Sequence, residues 1–241
     1  MKFKNKIKLV LRRFGIDISR YNLNENFDFR LNHFLKLNNI ECIIDIGANI
    51  GQYAEYLRQI GFKKDIISFE PLNDSYEILK SKTKKDTRWE AYNFGIGDNE
   101  QSSKINVSKN SFSSSILDMS SLHLDSAPDS IYVSNQKITI KRLDRLEFIE
   151  KLKDKNLFLK IDTQGYEEQV INGSTNIINR VKGIQIEMSS NELYKGQILF
   201  EELYKKIVNL NFDLWDIKRG FSNPETGKVL QFDAIFFKKN L

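Results

Sequence analysis

The chain has 241 residues, 40% of them hydrophobic and 29% charged, enough for one sizeable core in an ordinary globular body. No run of about 18 apolar residues occurs, so a membrane-spanning helix is not expected, and the N-terminal residues lack the apolar stretch and small-residue cleavage site of a secretory leader. Cys42 is the single cysteine; an intrachain disulfide and a cysteine metal cluster are excluded, and a cytoplasmic setting fits.

Lys plus Arg number 37 against 32 Asp plus Glu, a net charge of +5. Lys2, Lys4, Lys6, Lys8, Arg12, Arg13 and Arg20 face only Asp17 in the first twenty residues, so that stretch alone carries +6 and the remainder −1. The basic surplus belongs to an arm. A nucleic-acid-binding body would carry it on the folded face, so no nucleic-acid partner is expected.

Phe3, Ile7, Val10, Leu11 and Phe14 recur at helical spacing with the cations off the stripe, and Gly15 ends the pattern. Residues 1–39 read as a basic, amphipathic helical arm. Its stripe either packs on the body or meets a membrane surface or lipid-linked substrate; a nucleic-acid arm is a third reading. His33 falls in this helical region and reads as structural.

From residue 41 short runs rich in Ile, Val and Phe alternate with amphipathic stretches. Strands are predicted at 42–46, 65–69, 89–94, 157–161, 183–187, 212–217 and 229–237, and helices at 50–60, 73–80, 143–152, 167–172 and 200–210. This alternation predicts an α/β body, a mostly parallel sheet with helices on both faces. The last two strands are separated only by a loop holding Gly220, Asn223, Pro224 and Gly227, which predicts an antiparallel hairpin. Residues 99–136 are serine-rich and break the rhythm; they read as a lid or a disordered loop.

The first predicted strand runs into Asp45-Ile46-Gly47-Ala48-Asn49-Ile50-Gly51 and then a helix. Glycines there let the backbone turn tightly beside a ligand, at the strand ends where open α/β sheets bind. The dinucleotide pattern Gly-x-Gly-x-x-Gly is absent, which speaks against an NAD-dependent oxidoreductase. The second strand ends in Glu70-Pro71, an acid placed to accept from ribose hydroxyls. The third leads to Gly95-Ile96-Gly97-Asp98, room for a base with Asp98 either reading its amine or capping the turn. An acid, a glycine loop, a ribose acceptor and a base slot suit a nucleoside with an amino-acid tail, namely S-adenosylmethionine.

The chain resembles the FkbM-type S-adenosylmethionine-dependent methyltransferases. The resemblance rests on Ile44 to Gly51, Phe69-Glu70-Pro71, Gly97-Asp98, Ile138-Thr139-Ile140 through Leu143-Asp144-Arg145-Leu146, and Leu159-Lys160-Ile161-Asp162-Thr163-Gln164-Gly165-Tyr166-Glu167. It continues through Asn172-Gly173-Ser174, Gln185 to Ser189, and Gln231 to Phe236. It covers roughly residues 40–241, and Gln164 departs from the glutamate that many members carry. It implies a Rossmann-like class I methyltransferase fold, seven strands with an antiparallel last one. It also implies methyl transfer to a hydroxyl, often on a sugar or glycosylated product. Cofactor residues would be Asp45, Gly47, Ala48, Asn49, Gly51, Glu70, Pro71, Gly97, Asp98 and Asp162.

A sugar hydroxyl becomes a good nucleophile only as its proton leaves, so a base or a metal is wanted. Asp162, at the end of the fourth strand, is the first candidate, with helix capping as its alternative. Lys160 points to the same side; Gln164 follows on the turn; Glu187 should neighbour Asp162 across the sheet. The pair Asp162 and Glu187 would need further carboxylates to hold magnesium, and none is evident. His123 reads either as a swinging base or as a surface loop residue. The Ser113-Ser114-Ser115 run reads as a ligand contact or a flexible loop, and Tyr194, Trp215 and Arg219 as a frame for a sugar. The partner expected is a small-molecule or glycan acceptor, with a peripheral membrane contact offered by the arm. A catalytically inactive nucleoside-binding module of the same fold is the alternative to an enzyme.

Overall fold

Strand-forming runs with apolar residues on both faces need a layer of helices on each side, and the chain supplies both. A computed structural model describes the backbone of residues 2–239 and the side chains of residues 7–239. Strands β1 (Cys42–Ile46), β2 (Asp65–Phe69) and β3 (Trp89–Tyr92) are followed by β4 (Gly95–Ile96), β5 (Gln101–Ser108) and β6 (Tyr132–Lys141). Then come β7 (Leu157–Ile161), β8 (Val181–Ser189), β9 (Phe212–Arg219) and β10 (Gln231–Lys238). The main sheet has seven strands in the order β3-β2-β1-β7-β8-β10-β9. All its pairs are parallel except those of β10, which runs antiparallel to both β8 and β9. This is the sheet expected from the sequence, hairpin included.

Alternation along β1 and β7 sorts the two layers. Ile44, Ile46, Leu159 and Ile161 face a cluster with Val170 and Ile171 of α6 (Glu167–Asn172) and Leu203 and Ile207 of α7 (Phe200–Asn209). Ile43 and Phe158 face Leu31 and Leu35 of α2 (Phe27–Leu37), Ala54 and Leu57 of α3 (Gln52–Gln59), and Leu79 of α4 (Asn73–Thr83). Each such fully buried Val, Leu, Ile or Phe side chain is worth about 1.5–3 kcal/mol of transfer free energy. The part of the arm from Phe27 onward thus packs into the body.

Three expectations change. Residues 143–152 form two 3-10 segments, Leu143–Arg145 and Glu147–Leu152, because extended Leu146 interrupts them. Residues 99–136 are a built structure: β5 and β6 pair antiparallel, β4 joins β6, and Ser121–Ser126 forms the short helix α5. Ile105, Ile138 and Ile140 seal this second sheet against Leu72 and Tyr166. The stripe of helix α1 (Lys2–Arg12) is only partly covered: Ile7, Val10 and, just beyond the helix, Phe14 are 44%, 53% and 75% exposed, and Leu11 is half-buried. The Phe3 side chain of that stripe lies outside the described residues. Lys8 and Arg12 both reach Asp17.

Candidate active site

The turn after β1 is held from the neighbouring strand. Phe69 O accepts from Gly47 N at 3.1 Å and from Ala48 N at 3.0 Å, and Gly51 N closes the turn on Ala48 O at 2.8 Å. Gly47 has φ +85°, and a Cβ there would stand 1.9 Å from Asp162 O. Only glycine combines that dihedral with so close an approach, and the approach brings the β1 turn against the end of β7. Asn49 follows at φ +49°. Glu70 then ties the turn to β2: its Oε2 accepts from Asn49 N and its Oε1 from Leu72 N, each at 2.8 Å. Burial pushes the Glu70 carboxyl up to about 7 against the opposing effect of these two backbone bonds.

A cavity of about 270 Å³ opens over these strand ends. Gly47, Asn49, Glu70, Pro71, Asp162, Gln164 and Glu187, all singled out in the sequence, line it. So do Gly95 and Ile96, and Ser111, Phe112 and Ser114 from the loop after β5. The serine run is therefore a packed, hydrogen-bonded segment in place of a flexible loop, one of its two readings. Ser113 Oγ pairs with Ser130 Oγ, Ser114 Oγ accepts from Ser108 N, and Ser115 Oγ donates to Gln164 O at 2.6 Å.

Polar groups converge where β7 and β8 end. Gln164, at φ +53°, turns its amide between two carboxylates: Nε2 donates to Asp162 Oδ1 at 2.8 Å and to Glu187 Oε2 at 3.0 Å. The hydroxyl of fully buried Tyr194 donates to Gln164 Oε1 at 2.6 Å, which fixes the amide's orientation. Gln231 Nε2 adds a second bond to Glu187 Oε2 at 2.8 Å. Lys160 donates to Asp162 Oδ2 at 3.2 Å and to Asp233 Oδ1 at 2.9 Å. Burial alone would push Lys160 down, but Asp162, Asp233 and Glu187 outweigh it and hold the ammonium well above its ordinary value. Burial, then the charge of Asp162, drives Glu187 well above the carboxylate range. Asp162 caps no helix; the turn is pinned instead by Glu167 Oε1, which accepts from Thr163 N and Gly165 N.

Several expected members stand elsewhere. Asp45 and Ala48 lie under the turn on a second cavity rather than in the first, and Asp45 Oδ2 accepts from Ser68 Oγ at 3.2 Å. Gly51 abuts Trp89 and Leu79. Gly97 is pressed against Ile140 and Tyr166, and the Asp98 carbonyl accepts from Arg142, so neither borders the cavity. β3 ends at Tyr92 and Gly95–Ile96 joins the second sheet, so Gly95 and Ile96 border the cavity in place of Gly97 and Asp98. His123 neither swings nor sits on the surface. It is 3% exposed between Tyr194 and Phe221, and burial lowers it to about 4. Trp215 packs on Phe34 and Phe237, and Arg219 reaches Ser222 and Gly227, away from both cavities. The sequence reading missed Tyr53, Gln185 and Asp233, which surround Lys160. Gln185 and Asp233 carried a signal, a polar residue within a largely apolar strand, whereas Tyr53 on α3 carried none.

The cavity fits a nucleoside methyl donor: a tight glycine turn at the end of β1 that lines it, and a buried carboxylate whose two oxygens each keep acceptor capacity for ribose hydroxyls. The donor set does not fit a divalent cation. An amide donor stands between the two carboxylates and an ammonium rests on one of them. No group of three or more His, Cys, Asp or Glu able to hold a metal occurs among the described residues.

The family model for the Methyltransferase FkbM domain matches residues 45–214. No curated protein matches the chain. Among solved structures, a methyltransferase FkbM from Methylobacillus flagellatus KT is 14% identical at a TM-score of 0.48, over 83% of this chain and 44% of that one. This chain thus spans less than half of that protein's length. An rRNA methylase from Streptococcus thermophilus is 9% identical at a TM-score of 0.47, over 91% of this chain and 100% of that one. TehB from Haemophilus influenzae is 10% identical at 0.46, over 87% and 62%. S-adenosylmethionine is the usual cofactor of such methyltransferases. With the family model spanning well over half of its residues, the chain belongs to the FkbM methyltransferase domain family.

Proposed function

We propose that the protein is an S-adenosylmethionine-dependent O-methyltransferase acting on a hydroxyl of a sugar, a glycan or a glycosylated, lipid-linked intermediate. The observation that carries this reading is the cavity wall itself, where the Gly47–Asn49 turn and Glu70 meet Asp162 and Glu187. S-adenosylmethionine, when bound, supplies a methyl group on a sulfonium, whose C–S electron pair stays with sulfur as the new C–O bond forms.

Glu70 and the peptide groups of the turn hold the ribose side. Asp162 takes the hydroxyl proton. The two carboxylates differ in environment, and that difference assigns the roles. Glu187, raised by burial, keeps its proton to higher pH, while Asp162 faces the Lys160 ammonium. Lys160, anchored also on Asp233, then balances the charge of the site. Gln164 keeps both carboxyls in place through one amide. Asp162→Asn should abolish turnover and leave S-adenosylhomocysteine affinity nearly intact; retained turnover would remove Asp162 from the mechanism. Mass spectrometry of cellular glycans with and without the protein should reveal one lost methyl group, and an unchanged methylation pattern speaks against a glycan acceptor.

The exposed Ile7, Val10 and Phe14, with the basic surplus of the first twenty residues, support contact of the arm with an anionic membrane surface. Co-sedimentation with phosphatidylglycerol vesicles but not phosphatidylcholine vesicles tests it. No helix among the described residues is long and apolar enough to cross a membrane.

A further inference from the structure

A second cavity, of about 260 Å³, lies on the other side of the β1 turn and shares Gly47, Gln52 and Asp162 with the first. We propose that it receives the methyl acceptor, as an uncharged, hydroxyl-rich sugar unit whose reacting hydroxyl reaches Asp162 from this side. The inference rests on the methyltransferase reading and adds the acceptor's place and chemical class.

The cavity follows from strand register. Ser68, Asp45, Lys160 and Gln185 are paired neighbours across β2, β1, β7 and β8. Asp233 on β10 pairs with Glu187, one step diagonal from the row, and Gln185 Nε2 donates to its Oδ1 at 3.1 Å. Tyr53 and Tyr56 of α3 roof this polar floor, their rings 6.1 Å apart. Their hydroxyls are already engaged, Tyr53 with Gln185 and Tyr56 with Asp28, each at 2.7 Å. What the tyrosines offer a ligand is ring surface, the complement of a pyranose C–H face.

Charge decides the class. Asp162 and Asp233 share Lys160, and Lys218 stands 5.3 Å from the Tyr56 ring centroid at the mouth. A phosphate or carboxylate entering here would meet Asp162 and Asp233, whose shared Lys160 is already bonded to both, and Lys218, the other cation lining the cavity, already faces Asp233 across the β9–β10 pair. Hydroxyls instead find acceptors. Asp233 Oδ2 receives no hydrogen bond from the described residues and is not sealed off. Gln52, exposed at the junction, adds an amide.

The test loads the full chain with S-adenosylhomocysteine, followed by calorimetry. Saturation-transfer NMR then probes it with a panel of uncharged methyl hexopyranosides, with hexose 6-phosphates and uronic acids as anionic arms. Tyr56→Ala removes ring surface and Asp233→Asn removes an acceptor. Both should keep S-adenosylhomocysteine affinity within about twofold, which also reports that they fold. Both should weaken the glycoside signal by about tenfold, the worth of one good contact. Glycoside signals unchanged in both variants, signals from the anionic sugars alone, or none from any sugar on the loaded protein would each overturn the inference and leave the cofactor reading standing. Failure of the wild type to bind S-adenosylhomocysteine would overturn the methyltransferase reading instead, and glycoside signals on the unloaded protein would still decide the second cavity.

Discussion

The backbone N–H of Asn49 donates to the Glu70 carboxylate at 2.8 Å, joining the tip of β1 to the tip of β2. The bond makes a buried acid part of the β1 turn, and that has a consequence for stability.

Glu70 titrates near 4.5 unfolded and near 7 folded, raised by burial. Between these values the folded chain holds a proton that the unfolded chain has released. Stability from this group is therefore fully present below about pH 4.5 and is lost as pH rises to about 7, by about 3 kcal/mol. Glu70→Gln cannot titrate. Urea unfolding of both proteins across this range should show the wild type losing its relative advantage as pH rises; parallel profiles would refute the burial argument.

Lys160 is 4% exposed and serves Asp162 and Asp233 together. Lys160→Met fills the space but strands both acids. The expected loss is about 3–5 kcal/mol, the usual cost of leaving a buried charge unpaired. Adding Asp233→Asn should recover part of it, since one of the two stranded charges disappears. Denaturant midpoints of the single and double variants decide the matter: strictly additive losses would mean the two residues do not form a working pair.

His123 offers the opposite sign. It titrates at 6.5 unfolded and about 4 folded, because burial penalises its charged form. Its Nδ1 has no hydrogen-bond partner among the described residues. The unfolded chain takes up a proton first as pH falls below 6.5, so stability declines from there to about pH 4, by at most about 3 kcal/mol. His123→Phe should flatten this acid limb and leave methyl transfer unchanged. A variant that folds but cannot transfer would restore histidine to the mechanism.

The strands at 42–46, 65–69 and 157–161 were legible residue for residue, because short, mainly apolar runs buried on both faces stand out against their polar flanks. Gly47 and Glu70 were legible because their roles are local to a turn. The second sheet was not. In β5, Gln101 to Ser108, only Ile105 and Ser108 are buried, so its pattern carries no period-2 signal and its pairing with β6 decides its conformation. Asp233 and Gln185 were hidden for another reason. Their meaning depends on register with Lys160 across a sheet, which no local spacing encodes. His123 read as exposed only because serines surround it in sequence.

The amide of Gln164 gives one N–H to each of two carboxylates. Gln164→Glu would set a third carboxylate oxygen at those same 2.8 and 3.0 Å separations, while Tyr194 goes on donating to the other oxygen. Three acids so placed must share protons or bind a cation. At about pH 8 the variant should lose about 3 kcal/mol or more. Lowering the pH restores it, since the crowded acids take up protons in the folded state first. Millimolar manganese should restore it too, by supplying the positive charge that the amide had made unnecessary. Thermal unfolding with and without the ion reads all three effects. A variant as stable as the wild type at pH 8 without manganese would show that the amide bridge does not hold the two carboxylates together.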